Sequence, residues 1–192
     1  MAVFFTSDHH FGDGRHLAID RRPFASVALM DRAMAEAWND AVSPSDEVWH
    51  LGDLTRLSDP DRVAALLSGL HGVKHLIAGN NDGPATLAQL GFASVSTYAE
   101  IEIKGRGLVL CHYAFRTWNG MGRGRLNLHG HSHGRLTPMP GQYDVGVDAW
   151  NFRPVRLDEL LSRRRRRTGQ PPAAGSGREP GPGPDGAAWR IG

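Results

Sequence analysis

The sequence predicts a layered α/β fold, strands inside and helices outside, on three observations. Short apolar runs over residues 2–6, 47–51 and 73–78 each lead into a polar loop: Ser7-Asp8, Gly52-Asp53 and Gly79-Asn80. Stretches with apolar residues at helical spacing lie between these runs. Beyond about residue 94 the pattern changes to strands joined by Gly-rich turns. Apolar strands alternating with helices are the signature of an α/β arrangement.

The elements follow in order. Residues 2–6 read as a buried strand. Ser26 is a candidate cap for a helix over 27–41, where Leu29, Met30, Ala33, Met34, Ala37 and Trp38 repeat at helical spacing before Pro44 ends the stretch. The second strand spans 47–51. Asp59-Pro60 opens a helix through residue 70, because proline suits the first helical position. The third strand spans 73–78. Residues 94–103, 108–111, 126–129 and 143–147 read as further strands, and Gly105-Arg106-Gly107 reads as a hairpin turn. These elements place one folded domain over 1–167. From residue 168 to 192, Gly, Pro, Ala and Ser dominate, and a segment that buries so little apolar surface is expected to be a disordered tail. The run Arg163–Arg167 at the boundary has two readings, a solvated helix end or a patch that docks nucleic acid.

Composition narrows the class. The 192 residues are enough for one domain with a sizeable core, and a net charge of +2 is not that of a strongly basic chain. Cys111 is the only cysteine, so no internal disulfide can form, and its apolar neighbours predict a small buried hydrophobe. No apolar run is long enough to span a bilayer, and the opening Met1-Ala2-Val3-Phe4-Phe5 lacks the basic start of a secretory signal. A cytoplasmic protein with no membrane partner is expected.

Ten histidines are the informative excess, since imidazole is the commonest metal ligand. Polar clusters, most of them at strand ends, carry the chemistry: Asp8-His9-His10, Gly52-Asp53, Gly79-Asn80-Asn81-Asp82, His112 and Gly130-His131-Ser132-His133. Open α/β sheets bind ligands beyond the carboxyl ends of their strands, so residues far apart in sequence can converge there. Carboxylate and imidazole without thiolate suit divalent first-row cations, and one carboxylate has oxygens enough to bridge two ions. Each cluster alone is compatible with turn or core chemistry; their joint occurrence carries the metal reading.

The series Asp8-x-His10, Gly52-Asp53, Gly79-Asn80-x-Asp82, His112 and Gly130-His131-x-His133 resembles the calcineurin-like metallophosphoesterase superfamily, over residues 1 to about 158. Thr6-Ser7-Asp8-His9-His10-Phe11-Gly12, His112-Tyr113 with Arg116-Thr117-Trp118, and Val145-Gly146-Val147-Asp148 look like a compact bacterial branch of it. The resemblance implies a four-layer α/β/β/α sandwich. It also implies two divalent ions, Mn²⁺ or Fe by preference, with Zn²⁺ or Ni²⁺ possible. Asp8, His10 and His133 would hold one ion, Asn80, His112 and His131 the other, with Asp53 shared. The implied reaction is hydrolysis of a small phosphomonoester or phosphodiester by a hydroxide bridging the ions. The superfamily usually has His after the Asn of the Gly-Asn motif; Asn81 stands there in this chain and cannot transfer a proton.

Five further residues become candidates at the reaction centre. Asn81 replaces the usual acid. Asp82 is a turn or supporting acceptor. His9 either supplies the missing proton or supports the ligands from behind. Arg116, with Asn119, either faces the phosphate or is a surface cation. Trp118 reads as a core residue or a stacking platform. Asp13 stands where relatives often have His, which removes one expected substrate contact. A competing reading is a nucleic-acid-associated metal protein or nuclease docked by the arginine run.

Overall fold

The computed structural model of the chain describes residues 1–137 and 139–168, with 163–168 described by backbone alone. The order is β1 (Val3–Thr6), α1 (Arg15–Ile19), α2 (Val27–Ala41), β2 (Glu47–His50), α3 (Pro60–Gly69), β3 (Val73–Ile77), α4 (Pro84–Leu87), β4 (Phe92–Ser96), β5 (Tyr98–Ile103), β6 (Arg106–Cys111), β7 (Leu126–His129), β8 (Gln142–Asp144), β9 (Val155–Arg156) and α5 (Leu157–Thr168). The tail expected over 168–192 lies, from residue 169 on, outside the described residues, and so do the side chains of Arg163–Arg167. Among the described residues no helix is long and apolar enough to cross a membrane.

Two sheets form, flanked by helices. The first has the order β4-β3-β2-β1-β9 and the second β5-β6-β7-β8. Strands β1 to β4 run parallel and β9 closes the edge antiparallel to β1. In the second sheet β6, β7 and β8 are parallel and β5 pairs antiparallel with β6.

Alternation along each strand assigns the layers. Phe4 and Val48 face Met30, Met34 and Trp38 of α2 and Val63 and Leu67 of α3. Phe5, Leu51 and Ile77 face the other way, into a second cluster with Leu108, Leu110 and Leu128 between the sheets, closed at one side by Leu160 of α5. Helix α2 begins where expected, with the Ser26 hydroxyl accepting from Leu29 N. Helix α3 follows an Asp59 cap that accepts from Asp61 N and Arg62 N, with Pro60 at its first position.

Three expectations need correction. The run 94–103 is not one strand: the chain leaves β4 in one sheet and enters β5 in the other around Thr97. The hairpin turn lies one residue earlier than expected. Ile103 pairs with Arg106, and Lys104 and Gly105 occupy the turn at φ of 52° and 73°, the left-handed pair that a two-residue hairpin demands. The last strand of the second sheet stops at Asp144 because the Asp144 carboxylate accepts from Gly146 N and turns the chain.

Parallel pairing sets the position of everything functional. The carboxyl ends of β1, β2 and β3 lie along one edge, and those of β6 and β7 meet them there. Ladder-like bonds continue past the strands: Asp8 N donates to Gly52 O at 2.9 Å, His10 N to Asp53 O at 3.0 Å and Gly130 N to His112 O at 3.0 Å.

Candidate metal centre

The seven residues expected to bind metal converge on this edge. Asp8 and His10 follow β1, Asp53 follows β2, Asn80 follows β3, His112 follows β6, and His131 and His133 follow β7. Asp53 is central: its Oδ2 lies 3.6 Å from His10 Nε2 and 3.6 Å from His112 Nε2. Asp8, His10 and Asp53 bring ligand atoms within 4.8 Å of one another, and so do Asp53, His112 and His131. His133 Nε2 is 4.0 Å from Asp8 Oδ1, and Asn80 Oδ1 is 3.0 Å from His112 Nε2.

Five of the seven sit in the left-handed region: Asp8 at φ 60°, His10 at 53°, Asp53 at 58°, His131 at 65° and His133 at 48°. The strands must turn sharply at their ends for the side chains to point at one another. Such conformations cost about 1 kcal/mol or more each and persist where surrounding bonds overdetermine them. Asp82 supplies some of those bonds. Its carboxylate accepts from Asp53 N at 2.8 Å, Gly79 N at 2.8 Å and Leu54 N at 2.9 Å. That is the supporting-acceptor role expected of it. Gly52, at φ 92°, allows the loops to touch: a Cβ there would lie 2.6 Å from Gly79 N and 2.6 Å from His112 Nδ1.

Two of the histidines have Nδ1 held so that Nε2 faces the ligand group. His112 Nδ1–H donates to Leu51 O at 2.8 Å, which leaves the Nε2 lone pair facing Asp53. His133 Nδ1–H donates to Asp148 Oδ2 at 2.7 Å, which aims Nε2 at Asp8. Burial pulls the His133 acidity one way, but the Asp148 bond and the charges of Asp8 and Asp20 leave its pKa above the usual value.

Arg22, which no sequence motif singles out, ties this frame together. Its side chain is wholly buried and clamps Asp148 with Nε and Nη2, both at 2.8 Å. The same guanidinium donates to His9 O at 2.7 Å and Asp8 O at 2.6 Å, fixing the strained turn between the first two ligands. No local pattern marks it, because its partner Asp148 is 126 residues away.

His16 is a second residue that no motif singles out. Its ring stacks on His10 with centroids 3.6 Å apart, and its Nδ1–H is held by Asp20. Asp13, which replaces an expected histidine, lies beside it with Oδ2 3.7 Å from His16 Nε2. His16 thus stands between His10, Asp13 and Asp20, and the spacing Asp13, His16, Asp20 is its only sequence trace.

The remaining candidates divide. Asn81 joins the centre: its backbone N donates to Asp53 Oδ1 at 2.8 Å and its Nδ2 to Asp53 Oδ2 at 2.7 Å. His9 does not face the opening. It is fully buried behind the ligands, shares a 2.9 Å hydrogen bond with His50 and stacks on Phe11, so it is no proton donor to a substrate. Arg116 is exposed. Asn119 donates to Glu100 instead of turning to the site, and Trp118 is buried with Nε1–H on Arg125 O, the core reading.

Divalent cations suit this donor set on two observations. Both ring nitrogens of His10 are buried with no hydrogen-bond partner, and burial drives its pKa down to about 2, so the ring is a neutral ligand without a substitute contact. Burial also pushes Asp8 up to about 7 despite the bond from Ser7 and the nearby His133. A cation would relieve that desolvation directly.

Comparison with known proteins decides the ancestry. Residues 1–143 match the family described as the calcineurin-like phosphoesterase superfamily domain. The chain belongs to that superfamily. Its metallophosphoesterase domain is 32% identical to the Gene 66 protein of Mycobacterium phage L5 over 194 residues, covering 82% of this chain and 91% of the phage protein. It is 28% identical to protein MJ1445 of Methanocaldococcus jannaschii, covering 83% of this chain and 89% of the other. Protein AQ665 of Aquifex aeolicus has the same fold, with a TM-score of 0.67 at 20% identity over 83% of this chain and 97% of that one. The two-sheet architecture expected of the superfamily is therefore the one observed.

Proposed function

We propose that the chain is a dinuclear metal-dependent hydrolase of small phosphate esters. The observation that carries this reading is the position of Asp53, one carboxylate oxygen equidistant from a histidine of each ligand group. Asp8, His10 and His133 would hold one divalent ion, and Asn80, His112 and His131 the second, with Asp53 between them. Mn²⁺ or Fe is the expected metal, with Zn²⁺ or Ni²⁺ as alternatives for an all-oxygen-and-imidazole set. Bound ions would activate a water and neutralise charge on the phosphoryl oxygens.

The protein's own part is to hold these donors rigid before substrate arrives, which is where electrostatic catalysis gains most. Asp82 fixes the Asp53 turn, Leu51 O and Asp148 fix two imidazoles, and Arg22 fixes the Asp8 turn. Asn81 orders Asp53 but gives no proton. General acid help is typically worth about 10²–10⁴-fold, so esters of weakly acidic alcohols should be poor substrates. Reconstitution with each metal, followed by a screen of monoesters and diesters and a count of ions bound per chain, tests the reading. Two ions and metal-dependent hydrolysis are expected. Asp53→Ala should lose both, and a blank as active as the wild type refutes the assignment.

A further inference from the structure

A cleft of about 360 Å³ opens beside the centre, walled by Arg56, Leu57, Ser58, Asn81, Pro84 and Ala85. That volume is at the lower end for small-molecule sites. Asn81 is the wall that the cleft and the ligand group share, since the same residue holds Asp53 by backbone and side chain. Arg56 is exposed, has no carboxylate partner among the described residues, and donates Nη1–H to Asn81 Oδ1 at 3.0 Å. This pairing settles the orientation of the Asn81 amide: turned over, it would set N–H groups against the guanidinium and an oxygen against the Asp53 carboxylate.

We propose that Arg56 is the leaving-group residue of this centre, and that the cleft takes the body of the leaving group in phosphate esters of aryl and other acidic alcohols. The proposal rests on the phosphoesterase reading and extends it to substrate class. With phosphorus held over Asp53, an ester oxygen turned toward Asn81 meets Arg56, and the attached group enters between Leu57, Pro84 and Ala85.

In the reaction, water oxygen bonds to phosphorus as the ester P–O bond breaks. The electron pair of that bond leaves on the alcohol oxygen, and the proton released by the attacking water passes to solvent. An arginine cannot donate a proton at ordinary pH, but its N–H groups hold a departing aryloxide until it is protonated from solvent. The missing acid at position 81 and the cation at position 56, free of any carboxylate among the described residues, thus describe one device: the group departs as an anion, and the site is built to receive an anion. Alcohols that ionise readily are the ones this device serves.

The test uses the full-length, metal-reconstituted protein, a series of aryl phosphates graded by phenol acidity, and the variants Arg56→Met and Arg56→Lys. Arg56→Met should lower kcat/KM about 10²–10³-fold for the least acidic phenols and much less for nitrophenol, steepening the dependence of rate on leaving-group acidity. Arg56→Lys should recover part of the loss. By calorimetry, Arg56→Met and Leu57→Asp should weaken binding of a non-hydrolysable benzyl phosphonate while leaving inorganic phosphate binding and metal content within about twofold, a spread too small to change the ratio. An equal loss on every phenol, no change on any, or an equal loss of phosphate and phosphonate binding overturns the proposal. If the centre itself is misassigned, the failure is separable: the wild type and Asp53→Ala then behave alike before any Arg56 variant is compared.

Discussion

Replacing Arg22 by methionine should be among the most damaging single changes in this protein. The guanidinium is wholly buried and makes two bonds to Asp148, one to His9 O and one to Asp8 O. Removing one partner of a buried ion pair costs about 3–5 kcal/mol, because the other charge loses its main compensation, here keeping only the bond from His133. Each abandoned buried carbonyl adds about 1 kcal/mol. The sum, about 5–7 kcal/mol, is comparable with the whole stability of an ordinary domain, about 5–15 kcal/mol. Urea denaturation followed by the fluorescence of the five tryptophans measures it. Arg22→Met combined with Asp148→Asn should be less unstable than Arg22→Met alone, since the double change leaves no buried carboxylate stripped of its guanidinium. If Arg22→Met lies within about 1 kcal/mol of the wild type, the account of this clamp is wrong.

Other perturbations have defined outcomes. Asp82→Ala strips acceptors from three loop amides and should cost about 3 kcal/mol, with a 10–100-fold loss of metal affinity read by calorimetry. Gly52→Ala drives a methyl into Gly79 N and His112 and should lower urea stability by about 3 kcal/mol. Asn81→His should raise activity on alkyl esters far more than on aryl esters; equal gains on both would show that position 81 does not govern proton delivery. In chelator, stability should fall as pH drops below about 6.5. Burial depresses His9 well below its usual value, His10 to about 2 and His50 to about 3, so the unfolded chain takes up protons that the folded chain refuses. Asp8, raised to about 7, opposes this because its contribution is present at low pH and lost as pH rises. Near pH 5, three histidines outweigh one carboxylate, giving a net slope of about 3 kcal/mol per pH unit. A urea midpoint that holds constant or rises from pH 6.5 to 5 would contradict the buried neutral histidines.

The sequence made the centre legible because its ligands are short-range punctuation. Each follows an apolar run, and parallel strands carry run ends to one edge. Helix α2 was legible for a similar reason, with Ser26 and the spacing of Met30, Met34 and Trp38 agreeing on its start and its buried face. What stayed hidden was long-range. Nothing local in 94–103 announces that the chain changes sheets, since both halves alternate in burial as strand residues do. Strand β9 is two residues long and exists by pairing with β1. Arg22 reads as a surface cation until Asp148 folds onto it. His9 adjoins two ligands in sequence, yet the left-handed turns on either side of it send its ring into the interior.

Those left-handed turns have an evolutionary consequence. At five ligand positions the backbone would be more comfortable with glycine, so most of the centre is maintained against a standing thermodynamic preference for its own erasure. Glycine at His10 would relax the backbone without removing a hydrogen bond, whereas at Asp8, Asp53 and His133 the bonds from Ser7, His131 and Asn81 and to Asp148 would be lost with the side chain.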